Sequence, residues 1–493
     1  MATEAAGAGP LDVRGVPADD FLSIEQHALD PIPLADRHGT PGGLFLLWAA
    51  AQANFTSIFT GALLIAALKL NGIALGTGDA IVAIVIGGVL AAVVLGLLSV
   101  IGPHTGTSQV VASRATFGMR GAALGGLFTL FLAIGWFAVD SVIGTQALIA
   151  LLGKAGVSNS KPLEAILLLL IVGASMVVAV YGHQTISVFE RFGAIVFVAF
   201  AALVFVWLVP KIDFGAAAQI HGADHAGAFI LGASVVFALI ASWYGFASDY
   251  SRYLSPSAER RRVTLFAGGG IAASTILLSI LGVLLLTIDP NRDPNGLQDT
   301  IVNALPGVIG IPFLLYVAIG MVWGNYFDVY TAGLSSLAIG LPLSRWRAAL
   351  VCGVLGGVLA YIALFQSDFQ TQYTNFLLLT YVWAPGWAAV VLADFFFVRK
   401  RIEPTDLVRR GPRYWFSAGF SPTALLAWAI GTAAATPFIN SPLWTSPLSK
   451  HQLHGADLSG VVAFVVAGVV YLAAARRGQV AAGSGAEAVG SDA

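Results

Sequence analysis

The sequence predicts an all-α membrane protein with twelve transmembrane helices, and three observations carry that prediction. Hydrophobic residues make up 57% of the 493 residues and charged residues only 10%, with a mean hydropathy of +0.83. A soluble fold of this length needs a far more polar exterior. Apolar windows long enough to cross a bilayer recur along the chain, and the basic residues concentrate in alternate loops.

Twelve windows are long and apolar enough for a helix of about 20 residues that crosses the bilayer. The third and eighth windows are the longest and require tilt or a break, and the eighth has room for two segments. The windows cover residues 44–70, 78–101, 122–152, 163–182, 189–209, 227–247, 264–288, 311–341, 348–366, 374–398, 415–437 and 456–475.

The basic residues predict the orientation. With the N-terminus in the cytoplasm, alternating loops place 19 of the 25 Lys and Arg residues inside and six outside. Basic loops stay on the cytoplasmic side. We therefore expect a multi-pass protein of the inner or plasma membrane with both termini in the cytoplasm.

The first span contains three polar residues in its middle, namely Gln52, Asn54 and Thr56. A single polar residue in a span usually bonds a neighbouring helix. Three within five residues predict an interrupted helix whose free polar groups line a cavity. Gln52 and Asn54 are candidate substrate-binding residues.

The sixth span carries small and aromatic residues where it approaches the cytoplasm, which is typical of a discontinuous helix. Ser242 and Trp243 lie deepest and are candidate substrate-binding residues, whereas Asp249 and Arg252 are expected to pair with each other. Breaks in spans one and six are five spans apart, as in transporters built from inverted five-helix repeats.

This spacing predicts the organisation of the chain. A cytoplasmic tail over residues 1–40 precedes a first five-helix repeat over 41–209, and a second, inverted repeat covers 227–398. Two peripheral helices over 415–475 and a disordered tail over 476–493 complete it.

Two further spans carry carboxylates in apolar surroundings. Trp136 and Asp140 are four residues apart on one face of the third span, and Asn325 and Asp328 are three apart on one face of the eighth. An ionised carboxylate in the membrane interior costs several kcal/mol unless it is paired or faces water or a ligand. An indole ring beside hydrogen-bonding groups suits a planar, polar heterocycle, so all four are candidate substrate-binding residues.

Other classes of protein lack support in the sequence. The eight His residues show no metal-ligand spacing, Cys352 is the single cysteine, and the net charge of −1 gives no field that attracts nucleic acid. Neither a phosphate-binding loop nor a hydrolase nucleophile motif is present. We expect no enzyme activity, no cofactor, no metal site and no nucleic-acid partner.

Several stretches resemble those of one transporter family. They are the 24–33 segment, the polar cluster of span one, the His104–Thr107 and Ser113–Gly121 stretches, Gly135–Phe137, Ser248–Tyr253, and Asn375–Phe376 with Ala393–Phe395 in the tenth span. Their order along residues 24–475 resembles the nucleobase–cation symporter family 1, which includes cytosine, purine, allantoin and hydantoin permeases.

The resemblance implies a LeuT-type fold in which substrate lies between spans 1, 3, 6 and 8. It implies stacking of the substrate ring on Trp136 and a hydrogen bond from its edge to Asn325. It also implies contacts with Gln52 or Asn54 and with Ser242 or its neighbour Trp243. The family usually has an amide or a small residue where this chain has Asp140.

A second difference from the family bears on the coupling ion. Sodium-dependent members carry Ser or Thr just before the eighth-span Asn, whereas this chain has Val317–Val322 without a side-chain hydroxyl. Because Asp140 can carry a proton, H⁺ is favoured over Na⁺ as the coupling ion.

The prediction is therefore a secondary transporter, a monomer or weak oligomer, that imports a nucleobase of the cytosine or purine type with a cation. Alternatives are a permease for allantoin, hydantoin, a vitamin or a guanidine-type compound, and a gated channel with Asp140 and Asp328 selecting cations.

Overall fold

A computed structural model describes residues 30–489 except 71, 179–182, 341–344, 366–367 and 410–412. These residues form helices and three isolated β-bridges but no strand. The helices of the first half are α1 (Pro41–Ala51), α2 (Phe55–Leu63), α3 (Thr77–Ser99), α4 (Ile101–Thr105), α5 (Gln109–Ala112), α6 (Arg114–Phe117), α7 (Ala122–Lys154), α8 (Lys161–Val178) and α9 (His183–Leu208).

The second half continues the all-helical pattern. Its helices are α10 (Ala223–Ala241), α11 (Ala247–Ser251), α12 (Arg260–Leu286), α13 (Leu297–Ala304), α14 (Gly307–Ala338), α15 (Arg345–Phe365), α16 (Phe369–Ala393), α17 (Pro404–Val408), α18 (Pro422–Ala435), α19 (Pro447–His451) and α20 (Ser459–Val489). A π-helical turn, Asp394–Arg399, extends α16.

Each predicted window overlaps a helix or a pair of helices, and the long eighth window is the single helix α14. Within the described residues, eight helical segments are long and apolar enough to cross a membrane. They are Thr77–Thr105, Ala122–Lys154, Ala223–Ser251, Arg260–Leu286, Gly307–Tyr326, Arg347–Phe365, Phe369–Arg399 and Ser459–Arg476. The all-α polytopic class is confirmed, and twelve crossings remain a prediction.

The first helix is interrupted between α1 and α2. Gln52 is the C-cap of α1, and Asn54 adopts an extended conformation as the N-cap of α2. The Asn54 side chain accepts a hydrogen bond of 3.2 Å from the Ser57 N–H, which satisfies a donor that a helix start leaves free. Asn54 therefore fixes where the second half of the span begins.

A second interruption separates α10 from α11 and contains the 3-10 turn Tyr244–Phe246. Gly245 in this turn approaches α7 so closely that a Cβ atom would lie 2.5 Å from Thr129 Oγ1. The predicted break in the sixth span is therefore present, and its glycine permits contact with α7.

Small residues bring several helices into backbone contact. A Cβ atom on Gly61 of α2 would lie 1.8 Å from the Ser279 carbonyl oxygen of α12, and one on Gly282 would lie 1.8 Å from the Ile58 carbonyl oxygen. Elsewhere α7 packs along α14, and α3 packs against α10 and α12. Both helix breaks lie against α7, because α2 and the 3-10 turn Tyr244–Phe246 each contact it.

The segments that flank the spans are also structured. The Ile32 N–H donates to the Gly106 carbonyl at 2.9 Å and the Gly39 N–H to the Tyr253 carbonyl at 2.9 Å. At the other end, α20 continues to Val489 through residues for which the Gly, Ala and Ser content predicts disorder. Alanine favours continuation of a helix that is already formed.

Candidate functional site

A cavity with about 760 Å³ of empty space, part of it open to solvent, lies where the two helix breaks meet α7, α9 and α14. Six of the eight predicted substrate-binding residues line it: Gln52, Asn54, Trp136, Asp140, Trp243 and Asp328. The whole lining combines three indole rings, two carboxylates and two amides in an apolar wall, as is typical of a pocket for a small polar ligand.

Gln52 and Trp243 connect the two breaks across the cavity. The Trp243 indole Nε1 donates a hydrogen bond of 3.0 Å to Gln52 Oε1. The Gln52 side chain is 2% exposed, and its Nε2 has no hydrogen-bond partner among the described residues. Gln52 therefore retains an unused amide donor in the wall of the cavity.

Asp140 is held by the first span. Thr56 Oγ1 donates a hydrogen bond of 2.8 Å to Asp140 Oδ1. Its other oxygen, Oδ2, lies 2.8 Å from the position that a Cβ atom on Gly324 would occupy, so the lack of a side chain at Gly324 leaves room for the carboxylate. Asp328 is close enough to interact electrostatically with Asp140. Both aspartates are 4% exposed.

Trp136 is fixed by aromatic contacts with α16. Its ring packs edge-on against Tyr373 at 6.0 Å and against Phe376 at 5.1 Å between centroids. Edge-on packing is the favoured geometry for such pairs. These two contacts define the orientation of the Trp136 ring in the cavity wall before a ligand binds.

Two predicted contacts have local structural roles in this state. The Asn54 amide caps α2 and also donates to the Ala51 carbonyl at 3.3 Å. Ser242 lies outside the lining, and its hydroxyl donates to the Leu239 carbonyl one turn earlier at 2.7 Å. A serine at a helix end satisfies itself in this way, so Trp243 and not Ser242 reaches the cavity from the sixth span.

Asn325 also lies outside the lining. Its Nδ2 donates to the hydroxyls of Ser141 and Ser175, each at 3.0 Å, and the residue is fully buried between α7, α8 and α14. These hydrogen bonds hold the Asn325 amide away from the cavity. The sequence of α14 alone does not indicate them, because both serines lie in other helices.

The sequence alone does not indicate the other lining residues. Thr56 belongs to the polar cluster of span one, and its position facing Asp140 depends on the packing of α2 against α7. Phe197 of α9 and Tyr316 and Trp323 of α14 also line the cavity. The Tyr316 hydroxyl donates to the Gly193 carbonyl. An aromatic residue in an apolar helix is equally compatible with a position facing lipid, so the sequence does not identify these three aromatic residues as part of the lining.

Comparisons with known proteins all indicate one family of permeases. Residues 31–471 match the family described as "Permease for cytosine/purines, uracil, thiamine, allantoin". YxlA of Bacillus subtilis strain 168 is 25% identical over 460 residues, which cover 91% of this chain and 95% of that protein. The purine-cytosine permease fcyB of Emericella nidulans is 23% identical over 468 residues, which cover 92% and 88%.

The fold has close counterparts among solved structures. The nucleobase-cation-symport-1 family transporter Mhp1 in its inward-facing conformation superimposes with a TM-score of 0.74 at 18% identity, covering 94% of this chain and 96% of that one. Its closed conformation with bromovinylhydantoin bound gives 0.71 at 19% identity, covering 92% and 96%. At these identities the likeness establishes the fold.

Proposed function

This chain belongs to the family of permeases for cytosine and purines, uracil, thiamine and allantoin, and we propose that it imports a nucleobase of the cytosine or purine type, or a related small heterocycle, by cation-coupled alternating access. As a member it is a multi-pass membrane transporter. Its substrate would bind in the cavity between the two helix breaks, and the helices around it would expose the cavity to each side in turn.

The convergence of Trp136 and Asp140 from α7 with Gln52 and Trp243 from the two breaks carries this proposal. A flat indole surface binds a planar ring by stacking. The amide and the carboxylate select ligands by the donors and acceptors on the ring edge. A ring with no polar edge would leave these buried groups unpaired at a cost of about 1–3 kcal/mol each.

We propose H⁺ as the coupling ion, with Asp140 as the group that carries it and Na⁺ as the alternative. Val317, Gly320 and Met321 of α14 line the cavity without a side-chain oxygen to bind Na⁺. A proton on Asp140 removes the cost of holding a second negative charge near Asp328 in the membrane interior.

We further propose that the protein works as a monomer or weak oligomer in the inner or plasma membrane with both termini in the cytoplasm. The distribution of basic residues between alternate loops supports this orientation. Reaction of single engineered cysteines with an impermeant thiol reagent on intact cells tests it, with Cys352 replaced by serine.

Uptake of labelled cytosine, adenine and guanine into proteoliposomes tests the transport function. Trp136→Ala should lower uptake at least about fivefold, because base–aromatic stacking is worth about 1–3 kcal/mol. Trp207→Ala is the matched control, since Trp207 is 50% exposed on α9. Absence of uptake of every nucleobase and of allantoin, hydantoin and thiamine by a folded protein would refute the proposal.

Counterflow distinguishes a carrier from a gated channel. Unlabelled substrate loaded inside should drive transient accumulation of label in a carrier and not in a pore. An inward proton gradient should accelerate uptake more than an inward Na⁺ gradient does. Asp140→Asn should abolish the acceleration by protons, whereas dependence on Na⁺ alone would assign coupling to the alternative ion.

A further inference from the structure

A tight turn over residues 414–421, the aromatic turn, leads into α18 on the side of the membrane that the basic residues assign to the cytoplasm. The chain reverses there through Phe416, Ala418 and Gly419, whose φ angles of 47°, 53° and 92° lie in the left-handed region. Residues other than glycine rarely adopt that region. The Arg120 N–H, just before α7, donates to the Gly419 carbonyl at 2.8 Å. The start of α7 therefore holds the aromatic turn in place.

Two arginines lie over rings of the aromatic turn. The guanidinium of Arg399, at the end of the π-helical turn, lies 5.2 Å from the centroid of the Phe416 ring, and that of Arg120 lies 5.2 Å from the centroid of the Trp415 ring. Such contacts position a guanidinium and leave its N–H groups able to donate to an anion. Arg399 is also paired with the buried Asp394, whereas Arg120 forms no ion pair among the described residues.

Unpaired positive charge surrounds the aromatic turn. Arg120, Lys400 and Arg401 are exposed, and none of the three has an acidic partner within the described part of the chain. Of the described carboxylates in residues 394–421, Glu403 alone lacks an ion pair. The surface therefore has an excess of positive charge that its own acidic residues leave in place.

Exposed rings place this surface at the level of the lipid headgroups. Phe397, in the π-helical turn, is 69% exposed, and Phe416 and Phe420 of the aromatic turn are 37% and 38% exposed. Trp415 lies among them, and tryptophan is enriched at the interface between membrane and water. The unpaired cations therefore lie close to the phosphate groups of the adjoining leaflet.

We propose that this surface binds the headgroup of an anionic phospholipid at the cytoplasmic ends of α7, α16 and α18. Arg120, Lys400 and Arg401 donate to the phosphate by charge-assisted hydrogen bonds, and the acyl chains lie against Phe397 and the lipid-facing side of α18. Basic clusters at the cytoplasmic end of a span attract anionic lipids. The inference depends on the proposed orientation and is independent of the substrate.

Binding of phosphatidylglycerol to the purified full-length protein in neutral detergent tests the proposal, with zwitterionic phosphatidylcholine for comparison. Phosphatidylglycerol should raise the melting temperature in a dose-dependent way, because a ligand of the folded state stabilises it. Phosphatidylcholine should raise it less. The lipid concentration that gives half of the maximal rise measures the affinity, which should weaken as the salt concentration increases.

A charge-neutral variant locates the site. The combined changes Arg120→Gln, Lys400→Gln and Arg401→Gln should weaken phosphatidylglycerol binding at least about tenfold, since each basic residue near the membrane surface contributes about a factor of five. The matched control removes three exposed lysines assigned to the opposite side of the membrane and should bind the lipid as the wild type does. Its changes are Lys69→Gln, Lys161→Gln and Lys450→Gln.

Each other outcome overturns the proposal. Equal stabilisation by the two lipids would mean that no anionic headgroup is selected, and equal losses in the two triple variants would mean that the binding is not located at this surface. Equal stabilisation by inorganic phosphate would assign the surface to a soluble anion. If the triple variant does not fold, Arg401→Gln alone should weaken binding several-fold, and unchanged binding in that variant overturns the site.

Discussion

The Trp243 indole donates to the Gln52 carbonyl across 3.0 Å and so joins the two interrupted helices at the cavity. One residue comes from the C-terminal end of α1 and the other from the end of α10. A hydrogen bond between two helix breaks links their positions, so a shift of either break changes the shape of the binding cavity.

Replacement of Trp243 by Phe tests this bond. The ring remains but the donor is lost, so the Gln52 amide is free to turn over. We expect the affinity for cytosine to fall about fivefold, the equivalent of about 1 kcal/mol for one hydrogen bond. Competition binding measures this change.

Trp48→Phe is the matched control, because Trp48 packs edge-on against Trp243 at 5.8 Å but its Nε1 has no partner among the described residues. An equal loss of affinity in both variants would mean that packing, and not the hydrogen bond, accounts for the effect.

Gly61→Ala should destabilise the protein by about 1–3 kcal/mol, the usual cost of overpacking a tight interface. The added methyl group would lie 1.8 Å from the Ser279 carbonyl oxygen, a backbone atom that cannot turn aside. A lower melting temperature in detergent is the measurement.

Gly78→Ala provides the comparison. Gly78 is in α3 with no atom within 4 Å of the added group, and alanine is the better helix former. We expect an unchanged or slightly higher melting temperature. Similar losses in the two variants would argue against the close approach of α2 and α12.

Asp394 forms a buried ion pair at the end of α16, and Asp394→Asn should lower the free energy of unfolding by about 3–5 kcal/mol. Its carboxylate accepts from Arg399 Nε at 2.8 Å, from Thr116 at 2.8 Å and from Tyr471 at 2.6 Å. Loss of its charge leaves the arginine without a counter-charge. Denaturant titration followed by tryptophan fluorescence measures the change.

Asp406→Asn is the control for charge removal alone. Its pair with Arg413 at 3.2 Å is exposed, and exposed pairs contribute about 0–1 kcal/mol. If both variants lose the same small amount of stability, the Asp394 cluster does not anchor the end of α16.

Asp457 should make stability depend on pH. It lies before α20, and burial, opposed by hydrogen bonds from Ser459 and Asn440, raises its pKa to about 6. Because this pKa exceeds the ordinary aspartate value, the stabilising contribution is complete below about pH 4 and is lost as the pH rises through 6. A shift of about two pH units corresponds to about 3 kcal/mol.

Comparison with Asp457→Asn, a neutral analogue, isolates this titration from the other carboxylates. The wild-type melting temperature should fall relative to that of the variant between pH 4 and pH 7. A constant difference across this range would show that Asp457 does not change its protonation there.

The sequence predicted the fold and much of the cavity because polar residues in an apolar span have few harmless positions. Gln52, Asn54, Asp140 and Asp328 are such residues, and all four line the cavity. The free-energy cost of a polar side chain in the membrane does not, however, indicate which way that side chain points. Whether a polar side chain faces the cavity or a neighbouring helix depends on partners that are distant in the sequence.

Asn325 and Ser242 illustrate the limit. Asn325 turns towards Ser141 and Ser175, which are more than 140 residues away, and Ser242 bonds the preceding turn of its own helix. Thr56 is the opposite case: the sequence alone does not indicate that it faces the cavity, and the packing of α2 brings its hydroxyl to Asp140.

The backbone contact between α2 and α12 has a mechanical consequence. At Gly61 and Gly282 no side chain separates the backbones of the two helices, so we expect the two helices to move together. Spin labels placed on α2 and α12 should therefore keep one narrow distance distribution throughout the transport cycle. A label pair on α2 and α7, joined at the site through Thr56 and Asp140, would report the motion that opens and closes the cavity.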